Sequence, residues 1–175
     1  MSFNQFTVEQ SAIFPEVVSF TPSAFIDFRG AVYTSYLKDV FTPYLNGQTE
    51  FKHDKFIFNK KNVLRGFHGD TKSWKLVSAA YGEIYQVVLD NRPQSKTYQQ
   101  WEAFHLSGEN RKMVLVPPHF GNCFCILSEE AVYHYKLAYN GDYVDAKDQF
   151  TIKWNDPALK VDWPISNPIL QKRDQ

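Results

Sequence analysis

The chain has 175 residues with 19 basic and 19 acidic side chains, so its formal net charge is zero. This balance excludes a global field that would draw in nucleic acid or an anionic membrane, and an anionic ligand must be held by a local cluster. The length fits one domain, which we place at residues 1–175, and the aromatic fraction of 17% favours strands.

The first half of the chain shows no targeting or membrane-spanning pattern and predicts one turn and one short helix. Residues 1–15 carry no basic segment followed by an apolar one, and no run of about 18 apolar residues occurs, so we expect a cytoplasmic protein that contacts no membrane. Residues 16–36 alternate patchily between apolar and polar side chains, with a turn at residues 27–30. Residues 37–45 then predict one short helix that ends at Pro43.

From residue 51 onward the pattern is that of β-strands. Short runs rich in Val, Ile, Tyr, Phe or Trp are separated by Gly, Pro, Asn, Asp or Ser. Their spacing of about ten residues predicts an all-β antiparallel sandwich or barrel of jelly-roll type with short peripheral helices. The predicted strands are residues 51–58, 75–80, 83–90, 99–106, 113–116, 122–127, 131–138 and 150–154.

Two cysteines and five histidines give little sign of a metal site. Cys123 and Cys125 lie in the run Cys-Phe-Cys, where strand alternation directs both to one sheet face, a poor arrangement for an internal disulfide. Since no second Cys or His pair stands at zinc-site spacing, two small buried side chains are favoured over a metal or redox role. The histidines include no His-x-His pair, which also disfavours a metal.

One histidine is distinguished by its neighbours. In the run Val-Leu-Arg-Gly-Phe-His-Gly-Asp, His68 lies between the guanidinium of Arg65 and the carboxylate of Asp70, where a strand-like run breaks at glycine. Imidazole has the unperturbed pKa nearest neutrality and is suited to proton transfer at physiological pH. Along a regular strand Arg65 and His68 would face opposite sides, unless the backbone bends at Gly66. From these residues alone, a proton-transfer site and a solvated turn are equally open interpretations.

Seven motifs follow one another along nearly the whole chain. They are residues 27–30 (DFRG), 62–68 (NVLRGFH), 75–77 (KLV), 82–83 (GE), 154–156 (WND), 162–164 (DWP) and 169–174 (ILxxxD). In this order they resemble the dTDP-4-dehydrorhamnose 3,5-epimerase family. The resemblance implies a cupin-type jelly roll that works as a homodimer without cofactor or metal. It also implies that an N-terminal segment of about residues 1–36 crosses into the partner's site.

Within that family the chain is most similar to bacterial enzymes that act on GDP-linked 4-keto-heptoses for capsular polysaccharide. Relative to the rhamnose enzyme, Thr34 stands where a glutamate of the partner would read thymine. His53 replaces a glutamine that contacts the base, and Asn122 replaces a histidine near the sugar carbonyl. The runs shared with the heptose enzymes are residues 51–56, 65–70 and 137–143.

The resemblance also implies catalytic roles. His68 is the base that removes a proton beside the sugar ketone, and Asp174 accepts the other N–H of its ring. Lys75 stabilises the enolate. Tyr135 returns a proton on the opposite face, and Tyr133 is its rival because strand alternation places it on the same face.

Substrate contacts follow from the same resemblance. Two phosphates favour forked donors, so Arg65 and a partner-derived Arg29 are assigned to the diphosphate, and Phe25 is expected to stack on the base from the neighbouring chain. The full set of expected substrate contacts is Arg65, Arg29, Phe25, His53, Asn122, Asp70 and Thr34, with Lys55 and Lys72 as weaker candidates.

Four functions are consistent with these residues. The first is inversion of carbon 3 and carbon 5 of a GDP-linked 4-keto-heptose, and the second is inversion of carbon 3 alone. A nucleotide-sugar 3,4-ketoisomerase shares the jelly roll and the enolate, but the paired histidines usual near its base are missing here. The fourth is a sugar-nucleotide binding protein without catalysis, which would not require an acid and a base on opposite faces.

Overall fold

The structure is a computed structural model that describes residues 5–47 and 49–175. Within these ranges the chain forms thirteen strands, one short α-helix and three 3₁₀ turns, and no helix is both long and apolar enough to cross a bilayer. The strands are β1 (Phe6–Gln10), β2 (Val18–Pro22), β3 (Ala24–Asp27), β4 (Gly30–Tyr33), β5 (Phe51–Lys60), β6 (Leu64–Gly69), β7 (Trp74–Tyr81), β8 (Glu83–Asp90), β9 (Trp101–Ser107), β10 (Met113–Val116), β11 (Phe120–Ile126), β12 (Glu130–Ala138) and β13 (Phe150–Ile152). The helix α1 is Lys38–Phe41, and the 3₁₀ turns are Thr42–Tyr44, Ala146–Asp148 and Lys172–Asp174.

Most of these strands belong to two antiparallel sheets. Among the described residues, one sheet has six strands in the order β1-β2-β10-β7-β12-β5, and the other has five in the order β13-β6-β11-β8-β9. Strands β3 and β4 form a separate hairpin. Neighbours in the sheets are mostly distant in sequence, as expected of a jelly roll and not of a simple meander. The predicted fold class is confirmed.

The main core lies between the two sheets. Val77 and Tyr133 of the six-stranded sheet pack there with Val88 and Phe124 of the five-stranded sheet, and all four are buried. Alternation along each strand supplies these inward side chains. Because both sheets contribute, a polar side chain on an inner face of either sheet is held in a largely dry environment.

A further apolar layer covers the outer face of each sheet. On the six-stranded sheet, α1 packs Phe41 against Phe20. On the five-stranded sheet, Cys123 and Cys125 are buried with Leu159 of the C-terminal segment, and both thiols are free. Burial raises the pKa of Cys125 to about 12. The interpretation of the two cysteines as small buried side chains is confirmed.

The structure adds elements to the predicted ones and changes the bounds of others. Strand β1 lies within residues 1–15, for which the sequence predicts no strand, and it forms because it pairs along its whole length with β2. The predicted helix is split, since Pro43 does not end it but lies in the first turn of the 3₁₀ segment Thr42–Tyr44, where its missing N–H is tolerated. The last predicted strand is shorter and ends at Ile152.

Candidate active site

A one-residue bulge in β6 determines the direction of His68. Between β6 and β11, Asn122 pairs with His68 and Phe124 pairs with Arg65. The step is two residues on β11 but three on β6, so β6 carries one extra residue. Arg65 and His68 therefore both line one cavity. The predicted break at glycine is wrong, because β6 continues from Leu64 to Gly69.

Asp174 holds the ring of His68 in place. Nε2 of His68 and Oδ1 of Asp174 lie 2.7 Å apart, although the residues are 106 positions apart in sequence. Burial alone would raise the pKa of this carboxyl, but the hydrogen bond and the charge of His68 outweigh it and keep the pKa below its ordinary value. With Nε2 engaged, Nδ1 is the ring nitrogen that remains for a ligand.

The C-terminal segment is attached beside β6. The backbone N–H of Leu64 donates to the carbonyl of Ile169 at 3.1 Å, and the Lys172–Asp174 turn follows. The carboxylate of Asp174 then lies directly against Gly66, where an added Cβ would be 2.9 Å from Oδ1. Glycine at this position is therefore what allows the carboxylate to reach the imidazole.

Lys75 brings a positive charge into the same cavity. Its Nζ donates to the backbone carbonyl of His68 at 3.1 Å, and the residue is 7% exposed. Burial lowers the pKa of Lys75 to about 8; the negative charge of Asp70 opposes this shift, and the positive charge of Arg173 adds to it. Below that pH the ammonium acts in a medium of low polarity, where its field on a nearby oxyanion is strong.

The two tyrosines of β12 have different surroundings. Tyr133 is 1% exposed, its ring stacks on Phe124 with centroids 3.9 Å apart, and its hydroxyl donates to Oε1 of Gln86 at 3.0 Å. Tyr135 is half-buried and lines the cavity, and burial raises its pKa. The hydroxyl of Tyr133 is thus held in the core, which leaves Tyr135 as the better proton donor to a ligand.

Asn122 lies directly across from His68 on β11 and also lines the cavity. Its Oδ1 accepts a hydrogen bond from Nε2 of Gln86 at 2.9 Å and lies 3.2 Å from the hydroxyl of Tyr133. Gln86 was missed in the sequence analysis. The one signal for it is a polar residue in the middle of the apolar run Ile-Tyr-Gln-Val-Val-Leu, a place where a strand facing the core normally carries an apolar side chain.

One cavity of about 80 Å³ between the two sheets is lined by Arg65, His68, Lys75, Asn122, Tyr133 and Tyr135. Arg65, His68 and Asn122 come from the five-stranded sheet, whereas Lys75 and Tyr135 come from the six-stranded sheet. A larger, open groove of about 880 Å³ at the far end of β7 contains none of the predicted catalytic residues. Across residues 5–47 and 49–175, no three His, Cys, Asp or Glu side chains gather as metal ligands.

A cluster of His53, Lys55, Tyr139 and Tyr143, which we call the mouth cluster, lies beside this cavity. Nδ1 of His53 is 3.1 Å from the hydroxyl of Tyr139, and the ring of His53 packs edge-on against Tyr143. Nζ of Lys55 donates to the hydroxyl of Tyr143 at 2.8 Å, and Tyr143 also lines the cavity. The cluster offers aromatic faces and a positive charge, which are the groups that bind a nucleotide base and a phosphate.

Three of the expected substrate contacts that do not line the cavity lie in or next to the β3–β4 hairpin. Phe25 belongs to β3, Arg29 to the turn of the hairpin, and Thr34 follows β4. The guanidinium of Arg29 forms an ion pair with Asp27 at 2.5 Å. Within one chain the hairpin and the cavity are therefore separate.

Asp70 stabilises the turn that follows β6. Its Oδ1 accepts backbone N–H groups of Lys72 at 2.8 Å and Ser73 at 2.7 Å, so it caps the turn after β6, and it does not line the cavity. The carboxylate that pairs with His68 is that of Asp174 instead. The side chain of Lys72 is exposed on the same turn.

Residues 11–175 match the family model described as dTDP-4-dehydrorhamnose 3,5-epimerase. The chain is 36% identical over 164 residues to the enzyme of that name from Salmonella typhimurium, covering 91% of this chain and 88% of that one. It is 33% identical over 163 residues to the enzyme of the same name from Shigella flexneri, with coverage of 91% and 88%. Among solved structures, dTDP-6-deoxy-D-glucose-3,5-epimerase from Legionella pneumophila, in complex with dTDP-4-keto-L-rhamnose, superposes with a TM-score of 0.88 at 31% identity over 97% of this chain and 90% of that one.

The hydrogen bond between His68 and Asp174 predicts a stability difference that depends on pH. Because the pKa of Asp174 is lower in the folded state than in the unfolded state, ionised Asp174 stabilises the fold. This stabilisation is fully present above the unfolded-state pKa near 3.9 and is lost as pH falls through the folded-state pKa. We expect Asp174→Asn to lower the free energy of unfolding by about 1.5–3 kcal/mol at pH 7, the range for a hydrogen bond to a charged group. Urea unfolding at pH 7 and at pH 3 measures the free energy of unfolding of the native chain and of the variant.

The difference in free energy of unfolding between the native chain and Asp174→Asn should be smaller at pH 3 than at pH 7. Asp142→Asn, at an exposed carboxylate, is the control and should change little at either pH. A difference that stays constant across this range would contradict a lowered pKa of Asp174 in the folded state.

Proposed function

The chain belongs to the dTDP-4-dehydrorhamnose 3,5-epimerase family, and on that premise we propose that it inverts carbon 3 and carbon 5 of a nucleotide-linked 4-keto sugar. The family consists of isomerase-class epimerases, and nucleotide-sugar epimerase activity is the common element. The observation that carries the proposal is the placement of the His68–Asp174 pair and Tyr135 on facing sheets around one cavity. The specific substrate and the roles of individual residues are argued below.

The first half of the reaction is removal of a proton beside the ketone. Nδ1 of His68 takes the proton from carbon 3 of the sugar. The electron pair of the broken C–H bond forms a double bond between carbons 3 and 4, which gives an enolate whose charge rests on the carbonyl oxygen. Asp174 keeps the ring in one orientation and stabilises the imidazolium that forms. The ammonium of Lys75 stabilises the oxyanion.

The second half returns a proton to the other face of the planar enolate. Tyr135 projects from the sheet that faces β6, so its hydroxyl meets the face opposite the base. Inversion results because the proton is taken from one side and delivered from the other. The same base serves carbon 5 when the sugar ring is bound so that this carbon approaches His68, since both carbons flank the ketone.

For the nucleotide we propose GDP, linked to a 4-keto-heptose that is used in capsular polysaccharide. The sequence runs that resemble the heptose enzymes meet beside the cavity, because β5 pairs with β12 and residues 137–143 continue from β12. The mouth cluster arises from this pairing and offers aromatic and hydrogen-bonding groups to a base. In the rhamnose enzymes that the chain resembles, a glutamate that contacts thymine stands at the position of Thr34. Its replacement argues against a thymine nucleotide. Arg65, whose Nε donates to Asn59 at 3.0 Å, is held for a phosphate.

A dTDP-linked 4-keto-6-deoxy sugar is the second candidate. The relatives compared above carry names with this nucleotide, and one of them was solved with dTDP-4-keto-L-rhamnose. The chemistry at carbons 3 and 5 would be the same. The two candidates differ only in the nucleotide and the sugar substituents that the mouth cluster and the hairpin would bind.

We also propose a homodimer in which the hairpin of each subunit completes the site of the other. The hairpin exposes large apolar side chains, with Phe28 98% and Ile26 66% exposed. Apolar side chains this exposed are usually covered by a partner. A second copy would place Phe25 and Arg29 of the partner subunit near the nucleotide.

The proposed reaction is tested by hydrogen exchange. GDP-linked 4-keto-heptose and dTDP-4-keto-6-deoxyglucose are each incubated with the enzyme in deuterated water, and label at carbons 3 and 5 is followed by NMR. We expect label at both carbons with the GDP-linked sugar and much slower exchange with the dTDP-linked one. His68→Asn should lower the exchange rate by about 10²–10⁴-fold, the contribution of a general base.

The variants separate the half-reactions. Tyr135→Phe should retain exchange at one carbon while inversion falls, and Tyr81→Phe, on an exposed tyrosine far from the cavity, is the control that should change neither. Label at carbon 3 alone would replace the proposal by a 3-epimerase. Absence of label at both carbons with every substrate would exclude epimerisation, and a product with a shifted carbonyl would indicate the ketoisomerase.

The low pKa of Lys75 predicts a loss of activity in alkaline solution. Lys75 is charged below about pH 8 and neutral above it, so the enolate loses its cation as pH rises through that value. We expect kcat for exchange to fall between pH 7 and pH 9. Lys75→Met should be slower by about 10²–10³-fold at pH 7 and should lack this alkaline decline. The same decline in the variant would show that another group titrates.

The exchanged hairpin predicts recovery of activity in mixed dimers. His68→Asn and Arg29→Ala subunits are each expected to be weakly active, but when they are unfolded and refolded together each heterodimer regains one native site. With random pairing, about a quarter of the native activity should return. A mixture of His68→Asn with Lys75→Met is the control and should stay inactive, because both changes lie in the cavity of one chain. No recovery in the first mixture would place Arg29 outside the partner's site.

A further inference from the structure

Beside the base lies a pair of amides, the buried Gln86 and the half-buried Asn122, that the reaction described so far does not use. Gln86 on β8 is 0% exposed, and its Nε2 donates to the backbone carbonyl of Val87 at 3.1 Å and to Oδ1 of Asn122 at 2.9 Å. A fully buried amide costs stability unless its hydrogen bonds are satisfied, and an apolar side chain would cost less at this position. The retention of a glutamine in the core of a strand therefore requires a reason.

These hydrogen bonds fix the orientation of both amides. The carbonyl of Val87 can only accept, so the end of Gln86 that faces it is the NH₂ group. This group also faces Asn122, so the end of Asn122 that faces Gln86 is its oxygen. The hydroxyl of Tyr133, which donates to Oε1 of Gln86 at 3.0 Å, agrees with the same assignment. A flip of Gln86 would set its oxygen against two acceptors, and a flip of Asn122 would set two NH₂ donors against each other.

The remaining end of Asn122 is its NH₂ group. Within the described residues, the hydrogen bonds of this side chain all fall on Oδ1. Asn122 lines the cavity and is the direct cross-strand neighbour of His68, which places the two side chains about 5 Å apart at Cβ. The NH₂ group is therefore a donor next to the base.

We propose that the NH₂ group of Asn122 donates a hydrogen bond to the enolate oxygen, together with Lys75, and that Gln86 is the positioning residue that keeps this group turned toward the cavity. The inference rests on the proposed function, because it assumes that an oxyanion forms there. A neutral amide does not titrate between the pKa values of the carboxylates and of arginine. Its contribution thus persists above about pH 8, where Lys75 becomes neutral.

The test compares four variants in the deuterium exchange assay, with kcat and KM measured separately. Asn122→Ala should lower kcat by about 10²-fold, the effect of removing one oxyanion donor, with KM changed less than about threefold. Gln86→Met has a similar shape but cannot donate, and should lower kcat by about tenfold. The double variant should be no slower than Asn122→Ala alone, since Gln86 acts only through Asn122. Gln100→Met, at an exposed glutamine, is the matched control and should leave kcat unchanged.

Gln86→Glu is the second variant in case Gln86→Met folds poorly. A carboxylate at this position only accepts, so Asn122 must turn its NH₂ group toward it and present its oxygen to the cavity. The kcat of this variant should fall as far as that of Asn122→Ala, and protonation of the buried carboxyl at low pH should restore part of it. A merely structural role for Gln86 would give no such recovery.

Three results would overturn the inference. They are an unchanged kcat in Asn122→Ala, a loss in the double variant equal to the product of the two single losses, and a Gln86→Glu variant as fast as the native enzyme. In each case the native enzyme still exchanges, so the proposed function stands. A native enzyme without exchange would instead remove the proposed function, and this inference with it.

Discussion

The whole site depends on one extra residue in β6. Without the bulge, strand alternation would turn either Arg65 or His68 away from the cavity, and the carboxylate of Asp174 would have no imidazole to meet. The bulge coincides with Gly66, the position where a side chain would collide with Asp174. A single local irregularity thus has two consequences: it brings two functional side chains to one face, and it opens room for the group that orients one of them.

The facing sheets supply the second constraint. A planar enolate can be protonated from either side, and the stereochemical outcome is decided by which sheet carries the acid and which the base. In this fold His68 and Tyr135 come from different sheets and line one cavity between them. Stacked sheets generally lie about 10 Å apart, which leaves room for a flat ligand only where the side chains between them are small or drawn back. Tyr133, two residues earlier, shares the strand face but is bound into the core by Phe124 and Gln86, so position on the strand alone does not decide which tyrosine reaches a ligand.

Much of the fold was predictable from local patterns, because alternating apolar residues and turn residues are encoded within about ten positions. Strands 83–90 and 113–116 were predicted with their observed bounds. What local patterns do not encode is pairing over long distances. The contact between His68 and Asp174 was expected only from family resemblance. The backbone N–H groups that Oδ1 of Asp70 accepts in the turn after β6 were not foreseen, because the turn itself was not predicted in detail. Gln86 was missed because a lone polar residue in an apolar run has no meaning until its partner across the sheet is known.

The polar groups around the cavity argue for catalysis over simple binding. Asp174, Lys75 and Gln86 are all nearly or fully buried, and each would cost less stability as an apolar residue of similar size. Binding a charged nucleotide sugar requires donors at the mouth of a site, but it gives no reason to keep a carboxylate behind the imidazole or a glutamine behind an asparagine. Both arrangements have the same form, in which a buried group with a fixed orientation determines which end of the next side chain faces the ligand. Such orientation matters when one atom must transfer a proton or stabilise an oxyanion, because a misplacement of about 1 Å at the reacting centre can lower the rate a hundredfold. Binding energy, which is summed over a large ligand, is far less sensitive to such a displacement.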